Sequence, residues 1–106
     1  MPRDISAGSG FFTEWLLGPS PAVVAIGEAD GFSAQALSRA LHQALRTGPR
    51  PITLDLSRVT FIDGTALGAI TSAAASYPGQ PLKVSGASPF TVRLFRLVGM
   101  EHLLAA

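Results

Sequence analysis

The apolar positions of this chain change period several times, and each change marks an element. Phe11-Phe12-Thr13-Glu14-Trp15-Leu16-Leu17 is rich in strand formers and predicts a strand. Gly18-Pro19-Ser20-Pro21 turns the chain, because proline fixes φ and glycine relaxes it. Ala22 to Ile26 is a continuous apolar run, as expected of a buried strand that forms a hairpin with the first. Gly27-Glu28-Ala29-Asp30-Gly31 is expected to break it. Leu37, Leu41 and Leu45 then recur every four residues, with Ala34, Ala40 and Ala44 beside them. Ser38, Arg39, His42, Gln43 and Arg46 lie mostly on the other side, which completes an amphipathic helix. Ser33 is its expected N-cap and Gly48-Pro49 its end.

Alternation returns with Ile52, Leu54 and Leu56 against Thr53, Asp55 and Ser57, which predicts a strand. Val59, Phe61 and Ile62 lead from it into Asp63-Gly64-Thr65. The small and apolar residues from Ala66 to Ser76 predict a closely packed helix capped by Asp63. Tyr77-Pro78-Gly79-Gln80-Pro81 stops that helix, and Leu82 to Gly86 forms a short strand. Ser88-Pro89 opens a last helix, with serine as cap and proline at the first helical position, where its missing N–H costs nothing. Phe90, Leu94 and Val98 form one row of it and Thr91 and Phe95 the next, with Gly99 where a left-handed cap belongs. The order β-β-α-β-α-β-α predicts an α/β fold with right-handed crossovers and a mostly parallel sheet. The hairpin adds an antiparallel edge.

Composition narrows the class. The 106 residues suffice for one core. At 47% apolar and 14% charged, the chain is no disordered segment. It has no cysteine, which removes disulfides, thiolate zinc sites and cysteine nucleophiles. The net charge is +1, and the basic residues form no concentrated footprint of the kind a nucleic-acid binder shows. Residues 1–10 are polar and Gly/Ser-bearing, so they are expected to be a flexible N-terminus and not a signal peptide. No apolar run approaches the length of a membrane span. The expectation is a soluble, intracellular single domain over residues 11–106.

Catalytic chemistry is thin. His42 and His102 are isolated, without an acid or second histidine at metal-ligand spacing, so no metal site is expected. There is no nucleophile elbow and no phosphate loop. Gly8-Ser9-Gly10 precedes a strand instead of following one, which fails the context of a dinucleotide fingerprint. Neither a cofactor nor an enzymatic activity is expected. Arg93 and Arg96 read as a solvated face, and Met100, Leu103 and Leu104 as cover for the core. The segment from Leu54 to Gly68 is different, because it joins a strand to a helix and sets polar residues at the carboxyl edge of the sheet. Open α/β sheets bind their ligands there. Asp63 is a helix cap, Gly64 a flexible joint and Thr65 a first-turn hydroxyl. A phosphate on Thr65 would sit near the positive end of a helix and change surface charge without unfolding the domain.

Asp55 to Gly68 resembles the signature of the STAS domain, which runs roughly D-L-S-x-V-x-F-I-D-S-S/T-G/A-L-G. Ile26-Gly27-Glu28-Ala29-Asp30 resembles the G-E-L-D that precedes the first helix of that family, and Ser85 to Met100 its closing strand and helix. The three matches fall in order over about residues 20 to 104. The resemblance implies an α/β STAS fold with about four strands in a mixed sheet and helices mainly on one face. It also implies a bacterial, cytoplasmic switch of the anti-sigma factor antagonist kind, with no direct nucleic-acid contact and no membrane insertion. Such antagonists bind an anti-sigma factor with a histidine-kinase-like ATPase fold and so release a sigma factor. The anti-sigma factor phosphorylates the serine directly after the signature aspartate, and a phosphatase reverses this. Carried onto this chain, the interface centres on Asp63, Gly64, Thr65 and Leu67, with Asp30 contributing. Here the chain departs from the pattern: the acceptor position is Gly64, without a hydroxyl, and Thr65 matches the second hydroxyl position. Three readings follow. The chain is an antagonist that no kinase switches off, or Thr65 is the acceptor, or the domain is a docking module. Docking modules of the family include a subunit of phospholipid-transport ABC complexes and parts of stressosome scaffolds.

Overall fold

A computed structural model describes residues 4–6 and 10–105. The elements are β1 (Asp4–Ser6), β2 (Phe11–Leu16), β3 (Ala22–Ala29), α1 (Ala34–Thr47), β4 (Ile52–Ile62), α2 (Gly64–Ala75), β5 (Leu82–Ser85) and α3 (Pro89–Leu97), followed by a single 3-10 turn over Glu101–Leu103. The strands form one sheet in the order β1-β2-β3-β4-β5. β2 pairs antiparallel with β3, and β4 pairs parallel with both β3 and β5. The expected hairpin and crossovers are therefore present. β1 extends the sheet by three residues, from within the stretch expected to be a flexible start; residues 1–3 and 7–9 of that stretch lie outside the described ones.

The core lies on one face of the sheet. Phe11, Val23, Ala25, Ile52, Leu54, Leu56, Leu82 and Val84 point to it at every second position, as strand geometry requires. Leu37, Leu41 and Leu45 of α1 meet them, fully buried, and each side chain contributes roughly 1.5–3 kcal/mol by leaving water. Ala66, Ile70, Ala73 and Ala74 of α2 pack beside α1, the small alanines allowing a close approach. Phe95 closes the core from α3, and Leu103 with half-buried Met100 and Leu104 covers its end, as the sequence predicts. Leu104 also bridges to Val84, so the end of the chain covers part of the β5 edge.

Three local expectations need correction. β3 does not break at Gly27 but runs to Ala29. Gly27 has φ +102°, and a Cβ there would stand 1.7 Å from the carbonyl oxygen of Gly10, so only glycine lets the chain entering β2 cross this closely. β4 does not end near Ser57 but continues to Ile62. It does so through two bulges: Val24 faces Asp55 while Ile26 faces Arg58, and Gly27 faces Val59 while Glu28 faces Phe61. The bulges shift the alternation, which hides the strand from a period-two reading.

In α3, Thr91 and Phe95 are buried, whereas Phe90 and Val98 of the neighbouring row are more than half exposed. This nine-residue helix turns one row to the sheet and leaves the other in water. Ser33 is already in helical conformation, so its hydroxyl does not reach the first-turn N–H groups. It turns back instead, donating to the Glu28 carbonyl (2.7 Å) and accepting from the Asp30 N–H (2.8 Å).

Candidate partner-binding site

The carboxyl ends of β3 and β4 bring the two signature aspartates together. The Asp63 N–H donates to the carbonyl of Ala29 at 3.0 Å, so Asp63 stands beside the residue that precedes Asp30. Each carboxylate organises backbone. Asp63 is extended and accepts from the Ala66 N–H at 3.0 Å, which caps α2 as its sequence position predicts. Asp30 accepts from the N–H groups of Phe32 (3.0 Å) and Ser33 (3.1 Å), and its carbonyl accepts from Ala34 at 2.8 Å. Asp30 thus fills the capping role expected of Ser33.

Gly64 and Thr65 form the exposed first turn of α2. Gly64 has no positive φ, and a Cβ at that position would meet no atom within 4 Å. Thr65 is exposed, and among the described residues its hydroxyl has no hydrogen-bond partner. Leu67 differs from the placement that the resemblance gives it. It is only 4% exposed and belongs to the core, because it falls on the face of α2 turned toward α1 and the sheet. It reaches the surface as the floor of a shallow groove of about 440 Å³ between α2 and the end of α3. Gly68, Thr71, Val98 and Met100 also line this groove, and no charged side chain does. An uncharged groove with glycine on its rim lets another protein's backbone come close, with little desolvation of polar groups.

The sequence pattern attaches no surface role to Phe32 or Phe61. Phe32 is 93% exposed on the Asp30 turn, and Phe61 is 51% exposed at the end of β4. The signal for Phe61 was its adjacency to Ile62, since two neighbouring apolar residues on one strand face opposite sides. Phe32 is a lone aromatic in an Asp-Gly-Phe-Ser turn and carried no periodic signal. His42 is half-buried against Tyr77, its Nδ1 3.4 Å from the phenol oxygen, and Arg50 stacks over the same ring at 4.9 Å. Arg96 pairs with Glu101 across the surface at 3.0 Å. Among the described residues no three metal-ligating side chains converge, and no helix is long and apolar enough to cross a membrane.

A mixed sheet with a capped helix and an open first turn at its carboxyl edge defines the class of α/β domain to which this chain belongs. The family model described as "Mlab, STAS domain" matches residues 14–105, and the chain belongs to the STAS domain family. Among solved structures, an anti-sigma factor antagonist from Mycobacterium paratuberculosis has a TM-score of 0.79 and 24% identity, covering 94% of this chain and 87% of that one. SpoIIAA in its unphosphorylated form has a TM-score of 0.66 and 17% identity, with 88% and 85% covered. The phosphorylated form of the Bacillus protein gives 0.64 and 17%, with 88% of each chain covered. These likenesses establish the fold. No curated protein is similar enough in sequence to match the chain.

Proposed function

We propose that this protein is an anti-sigma factor antagonist-like regulator, which binds an anti-sigma factor of histidine-kinase-like ATPase fold and so releases a sigma factor. One observation carries the reading: the signature aspartate caps α2 and presents residue 64, exposed, on a fold shared with antagonists solved with and without phosphate. The interface takes in Asp30, Asp63, Gly64 and Thr65, with Leu67 acting from below as the floor of the groove. The two aspartates hold the backbone of the face, and Gly64 lets the partner approach. Without a hydroxyl at position 64, the usual phosphorylation has no acceptor, and the antagonist stays in its binding form. This role requires no catalysis by the chain itself, no cofactor and no direct contact with nucleic acid.

The same glycine favours one other reading. A docking subunit on the ATP-binding protein of a phospholipid-transport complex needs no phosphorylatable residue. Gly64→Ser separates the two, since the open space at Gly64 admits the side chain. Incubated with ATP and each kinase-fold anti-sigma factor of the source genome, Gly64→Ser is expected to gain phosphate at position 64, and the unsubstituted chain none. Binding of neither form to any of these factors overturns the sigma-pathway reading. Phosphate on Thr65 of the unsubstituted chain would mean that the acceptor has moved by one residue.

A further inference from the structure

Helices α1 and α2 and the loops after them carry charge of one sign only. From Gly31 to Leu54, a stretch that includes all of α1, the chain holds three arginines and a histidine and no acidic residue. Residues 64–82, α2 and the loop after it, hold no charged residue at all. Arg39, His42 and Arg46 line one open hollow of about 530 Å³ along α1, with Ser38 and Gln43 between them. Just past the helix, Arg50 stacks on the Tyr77 ring at 4.9 Å, and the phenol oxygen of that residue is 3.4 Å from His42 Nδ1. A third guanidinium thus stands at the side chain that His42 touches.

The acidic residues of the chain lie elsewhere. Glu14 alternates with buried Thr13 and so belongs to the other face of the sheet, where Asp4 pairs with it in register. The Glu28 carboxylate lies toward Gly10. Asp30, Asp55 and Asp63 accept backbone N–H groups of their own turns. Glu101 pairs with Arg96, and among the described residues Arg39, Arg46 and Arg50 form no ion pair. Arg46 lies in the last turn of α1, where the helix dipole favours a cation, but Arg39 lies mid-helix and gains nothing of that kind. All three are exposed, so neither folding nor a neighbour accounts for the row.

We propose that this side of α1 is a docking surface for an acidic helix of a protein partner, held by Arg39, Arg46 and Arg50. Arg39 and Arg46 are two turns apart, about 10 Å, so carboxylates repeating on one face of a facing helix meet both. Guanidinium groups hold carboxylates through paired hydrogen bonds, and an unpaired cationic row attracts a surface of opposite charge. Two other anions fit less well. An anionic membrane takes apolar side chains among the basic ones, and the large exposed apolar residues described lie outside α1 and α2. A nucleic acid runs past so short a row, and outside it the acidic residues outnumber lysine and arginine by seven to five. The one ring at the row, Tyr77, already carries Arg50 on its face, where a base would stack. The surface lies along α1 and away from the signature turn, so it is independent of the sigma-pathway reading.

The test uses the full chain in its own cells, with the photo-cross-linker p-benzoylphenylalanine at position 43, in the hollow, or at position 16, on the other face of the sheet, as control. Position 43 is expected to cross-link a protein through a helix rich in aspartate and glutamate, and position 16 is not. That protein, purified, should bind the unsubstituted chain with an affinity that falls as salt rises. Arg39→Glu together with Arg46→Glu should weaken the binding about tenfold or more. Arg39→Lys together with Arg46→Lys should keep most of it, and exchanging acidic residues of the partner helix for arginine should restore binding to the glutamate variant. Unfolding of both variants near the original melting temperature shows that the fold is kept, since the side chains are exposed. The proposal is overturned by no cross-link at position 43, or by cross-links to nucleic acid or lipid alone. Binding of the glutamate variant within about twofold of the original overturns it too, as does equal loss in the lysine variant or no rescue by the exchanged partner. Any of these results leaves the sigma-pathway reading where Gly64→Ser puts it.

Discussion

Gly27 and Gly64 both lie near the carboxyl edge of the sheet, and they are there for opposite reasons. Gly27 has a positive φ, and any Cβ on it would run into the backbone of Gly10. The fold demands glycine there. Gly64 sits in ordinary helical backbone with open space around it, and the fold would accept serine. Glycine is also a weaker helix former than serine, so stability does not favour it at this position. A glycine that folding neither requires nor rewards has to be read through the surface it makes. At position 64 that surface is the first turn of the helix the signature aspartate caps. Under the function proposed above, the missing hydroxyl bears on how the domain would be regulated by its partner.

Substitutions can sharpen this contrast. Gly27→Ala should have the largest effect, above about 4 kcal/mol, because backbone of β2 must move to make room; denaturant unfolding should find the variant largely unfolded. A two-state transition near the original midpoint would show that the Gly10 crossing is not needed. Leu67→Ala should cost about 2–5 kcal/mol by emptying a core position beneath the site, measurable as a lower midpoint in urea. A loss below about 1 kcal/mol would return Leu67 to the surface role that the family pattern suggests. Asp63→Ala should remove the cap of α2 and cost about 1 kcal/mol. The N–H of Ala66 should then exchange faster with deuterium while the centre of the sheet does not. Gly64→Ser should be the smallest, within about 0.5 kcal/mol of the original by the same unfolding measurement. A large loss would mean that the position is constrained after all.

A fifth prediction concerns the core behind the hairpin. Thr13 is buried on the core face of β2, and its hydroxyl has no partner among the described residues. Thr13→Val keeps the shape and removes a desolvated polar group. It should raise the melting temperature, with a gain of about 1 kcal/mol.

The elements were legible where one physical signal dominated. The leucines at 37, 41 and 45 fixed α1 by period, and Ser88-Pro89 and Gly99 fixed the ends of α3 by backbone chemistry. In the structure Ser88 accepts from the Thr91 N–H, and Gly99 closes the helix with φ +74° and bonds from Gly99 to Arg96 and from Met100 to Phe95. Asp63 was legible for the same reason, since capping is a local contract between a side chain and the turn after it. β4 was legible only in part, because each bulge adds one residue to one strand and resets the alternation on which a strand is recognised.

What the sequence determined by itself, then, is whatever a few neighbouring residues decide: periods, caps, turns and the signature that carries the family. The tertiary structure alone decided which faces those elements spend on the core. It buried Leu67 beneath the site, left Phe32, Phe61 and Phe90 in water, and made Gly27 indispensable by bringing Gly10 against it. Burial and close approach depend on what arrives from distant parts of the chain, and no local pattern records the arrival.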